Sequence, residues 1–197
     1  MNTALLLCVG LAAIQLVQSQ YVVTSYYNDT ACSVPLYTYW ESALCHQDLY
    51  NLNTWRFFLF QSDQIIQYSC FDRDCGTCVA VAYGNPLGEC YSGTILEYTK
   101  DQPEIPAYQI GVLTYQNDSC SKNNDYPTYA TVYQNGACVT SSSSSFYYLC
   151  IGGNYVEFAQ CTVPYCPVES DACSSPHTVV LNECYQYSSY YQEVICG

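Results

Sequence analysis

The sequence predicts an all-β fold of two tandem small disulfide-rich β modules, meander or sandwich-like, and three observations predict it. Short runs rich in Val, Ile, Tyr and Phe recur along the chain with Gly, Asn, Pro or Ser between them, which is the spacing of strands and turns. Fifteen cysteines stand in 197 residues, a density that belongs to small bridged domains. Six of them recur in order in a second copy: Cys32 with Cys120, Cys45 with Cys138, Cys70 with Cys161, Cys75 with Cys166, Cys78 with Cys173 and Cys90 with Cys184.

Residues 1–19 come first. The stretch from Leu5 to Val17 is apolar and uncharged, and the small residue Ser19 precedes Gln20, so the segment is expected to be a signal peptide removed together with Cys8. An even set of cysteines then remains, and no thiol is expected to be free.

The first repeat spans 20–102, with strands expected over 21–27, 55–60, 65–69, 79–83 and 94–98. Residues 39–52 have poor amphipathic periodicity and promise one helical turn at most. Lys100-Asp101-Gln102-Pro103-Glu104-Ile105-Pro106 interrupts the strand pattern with prolines and charges and reads as the linker. The second repeat spans 107–197, with strands expected over 110–115, 130–133, 146–149, 155–158, 178–181 and 190–195. Laying one repeat on the other pairs Val23 with Val112, Tyr26 with Tyr115 and Asn28 with Asn117. Cys150 and Cys196 have no counterpart in the first copy and are expected to bond to each other, while the pairing within the common six stays open.

Asn28-Asp29-Thr30 and Asn117-Asp118-Ser119 are glycosylation acceptors beside Cys32 and Cys120. Sequons are used only in the secretory pathway, where disulfides also form, so two kinds of chemistry name one compartment: the chain is expected to be secreted and extracellular. No later stretch is apolar for long enough to cross a bilayer, and no lipid-anchor tail is expected. Seventeen Asp and Glu against only Lys100, Lys122, Arg56 and Arg73 give a formal net charge of −13, which repels phosphate backbones and excludes nucleic acid as a partner.

Candidate chemistry is sparse. Cys75-Gly76-Thr77-Cys78 has redox or zinc spacing, but no βαβ context or second ligand pair accompanies it and its counterpart, Cys166 to Cys173, is wider. A structural disulfide role follows, with no metal and no cofactor. His46 and His177 occupy unrelated places, no nucleophile elbow is present, and Asp72-Arg73-Asp74 reads as local charge compensation. No enzymatic activity is expected. Ser141 to Ser145 reads as a flexible loop, with O-glycosylation as the functional alternative.

The 23 tyrosines are the most informative polar groups, since phenols tend to lie half-buried with a wet tip. Most should serve cross-strand packing. Tyr185, Tyr187, Tyr190 and Tyr191 are the candidate ligand-stacking faces.

The phrase Tyr, one or two residues, Asn-Asp-Thr/Ser, Cys-Ser, then a Tyr-rich strand resembles the small cysteine-rich repeat proteins secreted by amoebae and slime moulds, over roughly Tyr21 to Cys196. Some amoebal cyst-wall lectins similarly consist of tandem eight-cysteine domains, which implies polysaccharide binding through exposed aromatics. The first repeat here has six cysteines, so no binding residue is carried over. The reading is a structural or interaction protein of an extracellular matrix, coat or cell wall. The alternative is a carbohydrate-binding lectin using Tyr and Trp faces, with polysaccharide as partner.

Overall fold

The computed structural model describes residues 20–61, 64–82, 86–118, 120, 126–140, 142–167, 172–187 and 189–197. The expected signal segment 1–19 lies outside the described residues, as do Tyr83, Ser119, Lys122, Ser141 and Ser188. Among the described residues every regular element is a strand, and no helix is long and apolar enough to cross a membrane.

The first repeat contributes β1 (Tyr21–Tyr27), β2 (Pro35–Ser42), β3 (His46–Gln47), β4 (Trp55–Gln61), β5 (Gln64–Cys70), β6 (Cys78–Ala82), β7 (Cys90–Tyr91) and β8 (Thr94–Thr99). The second contributes β9 (Gln109–Tyr115), β10 (Tyr129–Gln134), β11 (Val139–Thr140), β12 (Ser145–Ile151), β13 (Tyr155–Cys161), β14 (His177–Val180), β15 (Tyr185–Tyr187) and β16 (Tyr190–Cys196). The duplication is visible strand by strand. Each repeat gives four strands to a shared sheet of order β15-β16-β9-β10-β2-β1-β8-β7, and four to a cover sheet of its own, β3-β4-β5-β6 or β11-β12-β13-β14.

The repeats meet at β2 and β10, antiparallel, with Glu41 opposite Tyr129, Tyr39 opposite Thr131 and Tyr37 opposite Tyr133. The register is symmetric about Tyr39 and Thr131. Val22 faces Glu41 in the first copy, and Ile110 faces Tyr133 in the second. Val22 is therefore the equivalent of Ile110, not of Gly111, and the sequence alignment of Val23 with Val112 and Tyr26 with Tyr115 is one residue out in this strand. Side chains alternate faces with period two, so such a slip inverts every residue, and the ladder pairing of Val22 with Glu41 and of Ile110 with Tyr133 fixes the register. The acceptors follow suit: Asn28 comes directly after β1, whereas Asn117 comes one residue later after β9.

Both cover sheets lie on the face carrying Val22 and Ile110. One core joins Val22, Ala43, Phe58, Ile65 and Leu96, and the other joins Ile110, Val156, Leu181 and Val194. The opposite face is covered locally, where Leu113, Tyr115, Cys120 and Ala130 pack with Trp40, Tyr191 and the linker residue Ile105. Gly111 makes that contact feasible, because a Cβ there would meet Ile105 Cδ1 head-on and lie 2.7 Å from its Cγ1. Gly111→Val is expected to cost about 1–3 kcal/mol by overpacking. Urea unfolding should recover most of the loss when Ile105→Ala is added, and an additive double variant would refute the clash.

Seven disulfides brace this frame. Cys32–Cys90 and Cys120–Cys184 correspond, as do Cys45–Cys75 with Cys138–Cys166 and Cys70–Cys78 with Cys161–Cys173. Cys150–Cys196 ties β12 of the second cover sheet to β16 of the shared one. Such bridges contribute roughly 2–4 kcal/mol each, and they supplement a core that is short of aliphatic residues.

Their corners are built alike. Asp29 Oδ1 accepts from the Ala31 amide at 2.8 Å and Oδ2 from the Val34 amide at 2.8 Å, while Cys32 takes a left-handed φ of 54°. Asp72 accepts from the Gly76 and Thr77 amides at 2.7 and 2.6 Å, with Cys75 at φ 51°. Backbone amides, chiefly those of Ser33 and Gly76, hold both carboxyls below the ordinary carboxylate range. Asp72 is thus a loop cap rather than a charge balancing Arg73, because four-residue corners leave amides that a short carboxylate can reach.

A tyrosine-lined cleft at the seam of the two repeats

The central strands align their aromatic residues by register. Tyr26, Tyr37 and Tyr133 are direct cross-strand neighbours on β1, β2 and β10, and β12 adds Tyr148 from above. Their rings form a continuous row: Tyr26 to Tyr37 at 4.5 Å, Tyr37 to Tyr133 at 5.7 Å and Tyr133 to Tyr148 at 5.1 Å. Directly opposed side chains of an antiparallel pair are close enough for such contacts, so the row is a consequence of sheet pairing.

One end of the row is charged. Glu41, His46 and Asp48 are buried at 4%, 3% and 5% exposure, and Arg56 from β4 reaches both carboxylates. Its Nη1 lies 3.4 Å from Glu41 Oε1 and its Nη2 lies 2.5 Å from Asp48 Oδ2. His46 Nε2 lies 3.1 Å from the same Glu41 oxygen, and Nδ1 lies 2.6 Å from the Leu44 carbonyl. Both ring nitrogens lie against oxygens, which fixes the ring between Glu41 and the Leu44 carbonyl. The Tyr129 hydroxyl closes the cluster by donating to the Gln47 carbonyl at 2.8 Å, its ring edge-on to His46 at 5.1 Å.

The cover sheets stand apart over β1, β2 and β10, leaving a cleft of about 690 Å³. Tyr26, Tyr37, Tyr39 and Tyr133 form its aromatic lining, Tyr50 stands at its rim 83% exposed, and Glu41 and Arg56 close one end. Thr24, Thr94, Thr131, Thr140 and Ser144 line the same space. Burial pushes the Tyr37 phenol up to about 12 and raises Tyr39 further still, with the Glu41 carboxylate adding to the effect on Tyr39. Tyr39 stands on the symmetry point of the seam. Its hydroxyl is shut off from solvent and, among the described residues, is the one buried side-chain polar atom without a hydrogen-bond partner.

The tyrosines singled out from sequence divide between two faces. Tyr185, Tyr187 and Tyr190 line a second pocket of about 460 Å³ between β15, β16 and the second cover sheet, with Tyr148, Phe158 and Val179. Tyr187 is 62% exposed and its ring lies 5.4 Å from that of Tyr190. The Tyr185 hydroxyl donates to the Val180 carbonyl at 3.3 Å. Tyr191 points the other way and packs into the cluster around Leu113. Strand alternation separates it from its neighbour Tyr190.

Sequence reasoning gives the tyrosines of the larger cleft, such as Tyr26, Tyr37 and Tyr39, to cross-strand packing and does not single them out as a site. A usable signal existed: Tyr37-x-Tyr39-x-Glu41 and Tyr129-x-Thr131-x-Tyr133 are alternating polar-aromatic triplets, and both belong to strands that meet at the seam. The two histidines are not brought together, since His46 is buried in the charged cluster and His177 is exposed on β14. The sulfurs of Cys70, Cys75 and Cys78 do converge, within 4.8 Å of one another. All three are disulfide-bonded, so the cluster offers no thiolate to a metal or substrate. Asn28 and Asn117 are exposed beside their bridged corners.

A family profile described as counting factor-associated protein A/B/C matches residues 1–196. No curated protein and no solved structure matches the chain.

Proposed function

The chain belongs to the counting factor-associated protein A/B/C family, and from that premise we propose a secreted, N-glycosylated interaction protein. It serves an extracellular complex, matrix, coat or cell wall, with no catalytic, metal or cofactor chemistry of its own. Its seven bridges suit an oxidising compartment, and glycans on the exposed Asn28 and Asn117 would project from its corners.

The observation that carries the reading is the outward face of the first cover sheet. Phe57 and Tyr68 stack there at 4.7 Å, beside Leu59 at 48% exposure and Ile66. A row of apolar side chains on an open sheet face is a docking surface for another protein. Leu59→Glu together with Ile66→Glu should leave the fold intact and release the chain from its extracellular assembly. Sedimentation of the secreted native protein checks this: the wild type is expected above the mass of one glycosylated chain without residues 1–19, and the variant at it. Monomeric wild type in its own medium would remove the interaction reading.

The second reading is a lectin, supported by the aromatic rows of the seam cleft and by Tyr185, Tyr187 and Tyr190. Retention on cellulose, chitin or another wall polysaccharide would favour it. Extraction from the wall only after reduction favours the structural role.

A further inference from the structure

We propose that the seam cleft binds a neutral oligosaccharide of two or three pyranose rings, with Tyr39 as its buried hydrogen-bonding anchor and Tyr50 as its stacking lid; this rests on the lectin reading. The occupant follows from the lining. The cleft, at about 690 Å³, has the size of a small-ligand site. Its lining combines phenol rings, which can cover the C–H face of a pyranose, with Thr24, Thr94, Thr131 and Thr140, whose hydroxyls can both donate and accept as sugar hydroxyls do. Few other ligands need apolar faces and dense hydroxyl pairing in the same few ångströms.

Charge narrows the class. Glu41 is compensated within the protein by Arg56, so the charged end supplies directional hydrogen bonds without demanding a counter-ion. A chain of net charge −13 repels sulfated or uronic polymers. A neutral sugar is the complement of both.

Tyr39 gives the site a point of attachment. A buried phenol hydroxyl without a partner is unfavourable in the free protein, and it becomes satisfied when a ligand hydroxyl, entering the cleft that Tyr39 lines, displaces the groups that shut it off from solvent. Its position between equivalent strands of the two copies means that neither repeat alone makes the site. Tyr50 is the complementary case: exposed and on the loop after β3, it has little to do for the fold, yet it lines the cleft.

The experiment is isothermal titration of the full secreted protein with oligomers of glucose, N-acetylglucosamine, galactose and mannose, two to four units long. At least one series is expected to bind. Tyr50→Ala should then weaken affinity about tenfold with an unchanged melting temperature, and Tyr39→Phe should weaken it about tenfold while the free protein melts no lower than wild type. The combination of lost affinity with retained or raised stability is the signature of an anchor. If Tyr39→Phe melts higher and binds as well as wild type, its hydroxyl meets only water and the proposal fails. If binding survives both changes but is lost with Tyr187→Ala and Tyr190→Ala, the protein is a lectin whose site lies in the second pocket, and the seam assignment is overturned. Absence of binding in every series ends both this proposal and the lectin reading, leaving the interaction reading to its own test.

Discussion

Replacing Arg56 by leucine is expected to cost about 3–5 kcal/mol of unfolding free energy at neutral pH, the usual penalty for stranding buried charge. Arg56 is the cation shared by Glu41 and Asp48, whose side chains are 6% and 7% exposed, and without it two buried carboxylates lose their guanidinium partner. Urea unfolding at neutral pH tests this, and adding Glu41→Gln with Asp48→Asn should recover part of the loss. A deficit under about 1 kcal/mol would mean that water replaces the guanidinium and that the cluster does not hold the seam together.

Raising the pH above 10 should unfold the protein. Burial is the leading cause that raises the phenols of Tyr21, Tyr37, Tyr39, Tyr129, Tyr133 and Tyr148 well above their ordinary value of 10.0, Tyr37 and Tyr148 to about 12. In the unfolded chain the same phenols ionise near 10. Between those values the folded state binds more protons, so stability is fully present below pH 10 and falls as pH rises, by about 1.4 kcal/mol per unit for each phenol. Six of them at pH 11 remove about 5–8 kcal/mol, most of what a domain of this size has. Tyrosinate absorbance should rise in two stages, exposed rings first and the buried set cooperatively with loss of β-sheet circular dichroism. A smooth, single-group titration with the sheet intact at pH 12 would show that the buried rings are accessible to hydroxide.

Most strands were legible because local chemistry encodes them. The Val-Val and Ile-Ile runs of β1 and β5 and the aromatic runs of β4 and β12 alternate or cluster as half-buried strands do, and Gly or Asp-rich corners bound them. The three-residue β15 and the longer β2 were the exceptions. Residues 39–52 read as a weak helical turn because Trp40-Glu41-Ser42 and Ala43-Leu44 break the alternation. Strand and bends there are set instead by pairing with β1 on one side and β10 on the other. The two-residue strands β3, β7 and β11 carry too few side chains for any periodicity to register.

The order of cysteines, the sequon chemistry and the alternating apolar residues by themselves determined that this is a duplicated, disulfide-rich all-β protein. Those signals are local, or repeat at a fixed interval along the chain, so they survive without coordinates. Only the tertiary structure decided that the repeats share one sheet, that Val22 matches Ile110, and that Tyr39, Glu41 and Arg56 face one cleft while Tyr191 turns away from Tyr190. The shared sheet depends on strand pairing between residues about 90 positions apart, and what Tyr191 packs against depends on the pairing of β16 with β9. A strand's period of two tells which residues share a face, but only the partner across the ladder tells what that face meets.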